Sequence, residues 1–122
     1  MPVVIALKDR LQGTVTPSDL NVETTVVSIP PQADDYIVEG YIDLSPLAKD
    51  EEVIIREYIA LDGANFRKFL EVGFTGPLGE PVIRFHAKTI PAPAPYKVTL
   101  TQVSGTPRSF PYAFIVEVMG TA

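Results

Sequence analysis

His86 is the one histidine in this 122-residue chain, and so the one side chain whose ordinary pKa lies near neutrality. It stands between Arg84 and Lys88, on the polar side of an alternating stretch. A general base needs an orienting carboxylate and a nucleophile within hydrogen-bond reach, and no sequence spacing here supplies either. His86 therefore reads as a solvated or hydrogen-bonded surface residue; a small hydrolase is the third reading, and it predicts a pocket joining His86 to a carboxylate. Cysteine is absent, which excludes disulfides, thiolate nucleophiles and cysteine-ligated zinc together. No serine stands in a Gly-x-Ser-x-Gly elbow and no glycine-rich loop could cradle a phosphate. The acidic runs Asp34-Asp35 and Asp50-Glu51-Glu52 lack the spaced carboxylates of a calcium loop and read as solvated. Glycoside hydrolysis needs paired carboxylates, for which the candidates are Glu39, Asp43, Glu57 and Glu71; all four read as outward strand positions. The expectation is no catalytic residue, no metal and no cofactor, hence not an enzyme.

Aromatic side chains are the other residues that could do something. Tyr41 and Tyr58 stand opposite the apolar faces of their stretches, and Tyr96, Phe110, Tyr112 and Phe114 gather near the end of the chain. Rings on a flat face stack on sugars or bury against another subunit. These six are the candidate interaction residues. A glycan-binding module with Tyr41, Tyr58 or Tyr96 as platforms is the alternative to self-association.

The elements that must position them are strands. Tyr36 to Leu44 alternates, with Tyr36, Val38, Ile42 and Leu44 on one face and Ile37, Glu39, Tyr41 and Asp43 on the other; Gly40 fits a bulge or a close backbone approach. In the next stretch Val53, Ile55, Ile59 and Leu61 share a face opposite Arg56 and Tyr58, before an Asp62-Gly63 turn. Phe66 to Phe74 follows, where the adjacent Phe69 and Leu70 can both face inward only through a bulge. Val82 to Thr89 puts Ile83 and Phe85 inward and Arg84, His86 and Lys88 outward, and the stiff Pro91 to Pro95 segment crosses between sheets. Tyr96 to Val103 and Phe110 to Met119 complete the set, the last apolar on both faces and so central or covered. Upstream, Gly13 to Thr16 and Glu23 to Ile29 read as strands, while Ala6 to Gln12 reads as a short helix or, equally, the chain opens as a strand from Val3 to Leu7. Ser45 to Asp50 reads as one helical turn.

About eight strands with turns at roughly ten-residue spacing point to an all-β, single-domain β-sandwich, jelly-roll-like, with an open barrel as the competing architecture. The expected layout is an N-terminal arm or short helix over residues 1–12 and the sandwich over 13–122. Net charge is -5, which argues against nucleic acid because a phosphate backbone selects a basic face. Residues 1–52 hold ten carboxylates against three bases and residues 53–122 five against seven, a polarity suited to head-to-tail contacts between copies. No stretch reaches the roughly 18 to 20 apolar residues of a membrane-spanning helix, and the first residues do not read as a signal peptide, so synthesis in the cytoplasm is expected.

Gly40-Tyr41-Ile42-Asp43-Leu44-Ser45, Val53 to Tyr58, Leu61-Asp62-Gly63, Tyr96 to Gln102 and Gly105 to Phe110 carry a resemblance. In strand rhythm and turn phrases over residues 6–119, the chain resembles small all-β proteins encoded among structural genes of tailed phages and related viruses. The resemblance implies a virion component, a capsid decoration or minor capsid protein that forms homo-oligomers and touches coat subunits. It implies no functional residue.

Overall fold

The computed structural model describes residues 3–121; the ends of the expected arm and sandwich, residues 1, 2 and 122, lie outside the described residues. Eight strands run β1 (Val3–Val15), β2 (Thr24–Ile29), β3 (Tyr36–Asp43), β4 (Glu52–Ile59), β5 (Arg67–Thr75), β6 (Val82–Ile90), β7 (Tyr96–Gln102) and β8 (Phe110–Thr121). They form two four-stranded antiparallel sheets ordered β1-β8-β3-β6 and β2-β7-β4-β5. This is an eight-stranded jelly-roll sandwich. The Pro91 to Pro95 segment carries the chain from β6 in the first sheet to β7 in the second, as its stiffness suggested.

The face assignments of β3 hold: Tyr36, Val38, Ile42 and Leu44 are fully buried. They meet Val53 and Ile55 of β4, Val98 and Leu100 of β7, and Phe110, Phe114 and Val116 of β8 in one core. Each such side chain contributes on the order of 1.5–3 kcal/mol by leaving water. The last strand, apolar on both faces, is central as expected, hydrogen-bonded to β1 on one side and β3 on the other. Gly40 sits at a bulge between β3 and β6, directly under the Phe114 ring.

Three local expectations are corrected. Residues 6–12 form no helix; they belong to β1, whose ladder runs from Val3 opposite Thr121 to Val15 opposite Phe110. A seven-residue helix is marginal by itself, and β8 offers the same backbone groups a continuous set of partners. Ser45 to Asp50 forms two tight turns rather than a helical turn, because Asp43 Oδ1 accepts the Ser45 N–H at 2.9 Å and Asp50 adopts a positive φ of 63°. Leu61, placed with the inward face of its stretch, is exposed, since β4 ends at Ile59. Among the described residues no helix is long and apolar enough to cross a membrane.

Candidate functional site

The fold separates the six aromatic candidates. Tyr96, Phe110 and Phe114 are buried in the core, so packing within the chain accounts for their rings. Tyr112 packs half-buried against the same core. Tyr58 lies on the outer face of the second sheet, where its hydroxyl donates to Glu23 at 2.5 Å and its ring carries Lys97 at 4.9 Å. Tyr41 stays half exposed on the outer face of the first sheet, beside a shallow depression formed with Glu39, Gly40, Ala113 and Ile115.

The outer face of the second sheet holds a polar network. Glu23 accepts from Tyr58 and Thr99, and Arg56 pairs with Glu71 at 2.7 Å while donating to Thr101 at 3.0 Å. Partial burial opposes ionisation of Glu23, but the Thr99 and Tyr58 hydrogen bonds and the nearby Arg56 outweigh it and hold its pKa below the ordinary value. Glu71, one of the four carboxylates weighed for hydrolysis, is spent on Arg56 and Lys68.

Glu57, another of the four, is not an outward residue. It shares parity with Val53 and Ile55, and it lies buried on the inner face of β4. Its carboxylate pairs with Lys88 Nζ at 3.0 Å and accepts the Tyr96 hydroxyl, whose pKa burial and this carboxylate push upward. Lys88 reaches inward because of a bulge in which His86 and Ala87 together face Glu39, which reverses the outward facing read from the alternation.

This pair closes the back of a cleft of about 360 Å³ between β5 and β6, within the range of about 300–1,000 Å³ common to ligand pockets. Both are edge strands, one of each sheet. Phe69, Leu70 and Val72 of β5 face into the cleft yet remain 47%, 40% and 38% exposed, because no strand of the opposite sheet covers them. A bulge at Phe69 turns both it and Leu70 inward, as their adjacency required. Arg84 and His86 stand at the rim and Phe74, Ile83 and Phe85 line the wall. The cleft thus brings His86 and a carboxylate together, but Glu57 is committed to Lys88 and Tyr96, and no lining residue carries a hydroxyl or thiol. The arrangement presents apolar walls, with its one amine, Lys88, held by Glu57. Among the described residues no three His, Asp or Glu side chains converge to hold a metal.

One member of the acidic runs is structural. Glu51 is buried and accepts Ala48 N at 2.8 Å, Thr106 N at 3.0 Å and a forked pair from Arg108 at 2.9 and 2.8 Å. Arg108 and these backbone donors lower its pKa from 4.5 to about 2. A lowered folded pKa adds stability above pH 4.5 that is lost as the pH falls towards 2. Glu51→Gln is expected to lower the urea midpoint at neutral pH and to flatten its fall between pH 4.5 and pH 2; an unchanged acid limb would overturn this.

A second uncovered surface lies at the other side of the sandwich. β1 is an edge strand, and Val3, Ile5 and Leu7 are 70%, 52% and 55% exposed. Edges this long are usually blunted by charge or proline, and residues 3–7 have neither.

No family model matches the chain, and no curated protein matches it. Among solved structures it is similar to chains of infectious bursal disease virus. With the Gt strain structure the TM-score is 0.50 at 14% identity over 96% of this chain, with the Gx strain 0.49 at 14%, and with the VP2 subviral particle 0.48 at 12%. This chain spans 32% of the length of each. These chains come from structures of a virus and of a subviral particle, and at such identities the likeness is one of fold.

Proposed function

We propose that the chain is a structural component of a virus particle, a capsid decoration or minor capsid protein that acts through contacts with copies of itself and with coat subunits. The observation that carries this reading is the fold likeness to the Gt strain chain, which extends over 96% of the residues. The surfaces agree with it. β1 offers an unpaired apolar edge and the β5–β6 cleft an uncovered stretch of core. Exposed apolar surface of this kind marks sites of association.

In this reading β1 is the arm: residues 3–10 are exposed throughout, so they can meet a neighbour without leaving β8. Tyr41 adds a half-exposed ring on the adjoining outer face. Purified protein is expected to form homo-oligomers at rising concentration in sedimentation velocity, and to co-sediment with virus particles carrying it, with detection by mass spectrometry. A monomer at all concentrations that is absent from particles overturns the proposal.

A further inference from the structure

We infer that the outer face of the first sheet binds a neutral saccharide, one sugar ring stacked on Tyr41 above a floor made by Ala113 and Ile115. The inference names a partner for the half-exposed Tyr41 ring, but it rests on this face alone and not on the particle reading.

Register places the residues. β8 is central and its side chains Phe114 and Val116 are buried in the core, so the alternating Ala113 and Ile115 point to the outer face. Ala113 stands opposite Gln12 of β1 on one side and Tyr41 of β3 on the other, and Tyr41 stands opposite Arg84 of β6. The neighbouring row on the same face runs Arg10, Ile115, Glu39. Directly opposite residues lie about 4.5–5.5 Å apart, so the two rows make one patch. Beside the small Ala113 the Tyr41 side chain is 50% exposed, at the edge of a depression of about 260 Å³. That is less than the roughly 300–1,000 Å³ of a ligand pocket, and it suits one ring with the rest of a chain lying along the sheet.

Chemistry sets the occupant. A sugar ring presents a flat patch of C–H groups and a rim of hydroxyls that both donate and accept. Tyr41 offers the flat counterpart, Arg10, Arg84 and Gln12 the donors, and Glu39 and Gln12 the acceptors. Among the described residues none of these five side chains makes a hydrogen bond or an ion pair within the chain. The second sheet is the contrast. There Tyr58 is spent on Glu23 and Lys97, and Arg56 on Glu71 and Thr101. One outer face satisfies its own polar groups, and the other leaves them to a ligand. Charge narrows the class of sugar: Glu39 is the one charged residue lining the depression and repels an anionic ring, while Arg10 and Arg84 flank it against a cationic one.

The test applies the purified full chain to an array of neutral oligosaccharides of glucose, galactose, mannose and N-acetylglucosamine beside sialylated and sulfated ones. The strongest neutral binder is then titrated. A neutral glycan is expected to bind in preference to the acidic ones and to shift the amide resonances of Tyr41 and Ala113. Tyr41→Ala is expected to weaken binding about ten-fold, and Tyr41→Phe to keep it within about two-fold, because the ring and not the hydroxyl makes the stack. Ala113→Leu, which fills the depression, is expected to abolish binding, and Tyr58→Ala on the other sheet to leave it unchanged. Tyr41 and Ala113 are exposed, so their variants should fold. No neutral glycan bound, a preference for acidic glycans, or an affinity unchanged by Tyr41→Ala or by Ala113→Leu overturns the inference. So does a Tyr41→Ala variant that loses self-association while the parent binds no glycan, which would assign the ring to a contact between copies. Because the array uses purified protein, failure here leaves the co-sedimentation result standing.

Discussion

Gly40→Ala is expected to destabilise the fold by about 3 kcal/mol, the upper end of what overpacking a core costs. Gly40 is buried at the middle of β3, flanked by β6 and β8. A Cβ built there would overlap the Phe114 ring and lie 2.7 Å from the Ala113 carbonyl oxygen. Neither neighbour can give way cheaply. The carbonyl belongs to the central strand of the sheet, and the ring is wedged against Phe85 at a centroid distance of 5.0 Å. Glycine is thus required here by space, not by backbone angle. Gly79→Ala provides the contrast: nothing lies within 4 Å of its Cβ, so its urea midpoint should stay near the parent's. Phe114→Leu should cost stability in the parent and less in the Gly40→Ala background, because the smaller side chain vacates space the methyl needs. If the two substitutions are additive, the ring is not what Gly40 accommodates.

The same residue shows what can be read from a strand pattern. A glycine breaking an otherwise strict alternation from Tyr36 to Leu44 announces a bulge or a close approach, and Gly40 is at both. The adjacent Phe69 and Leu70 could share the inward face only through a bulge, since period-two geometry sends neighbours to opposite faces, and the register shifts there. Local chemistry of this sort is legible because cause and effect lie within a few residues. The cleft is not, because it depends on which strands end up at the edges of their sheets. β5 and β6 follow one another in the chain but close different sheets, and no residue in either records that. The terminal strand shows the converse. Its two apolar faces announced a covered strand correctly, yet Phe110 and Phe114 are covered by this chain's own core rather than by a partner. Glu57 was hidden differently. Its parity with Val53 and Ile55 placed it inside, while its charge argued for the outside, and the cation that reconciles the two sits in the opposite sheet. Lys88 in turn points inward only through a bulge whose cause is the pairing of β6 with β3.

That pair makes the second large prediction. Lys88→Met is expected to destabilise the fold by about 3 kcal/mol, because it leaves the buried Glu57 carboxylate without its cation. Methionine keeps the apolar stem of lysine, so the loss reads the charge and not the packing. Removing one partner of a buried pair commonly costs about 3–5 kcal/mol, and the lower figure applies since the Lys88 side chain keeps 23% of its exposure at the cleft wall. Glu57→Gln should rescue much of the loss: an amide accepts the Tyr96 hydroxyl as the carboxylate does and carries no charge to strand. The double variant is therefore expected to be more stable than Lys88→Met alone, with a coupling above 1 kcal/mol in urea unfolding. Additive losses would show instead that water entering the cleft already screens Glu57 and that Lys88 acts by packing.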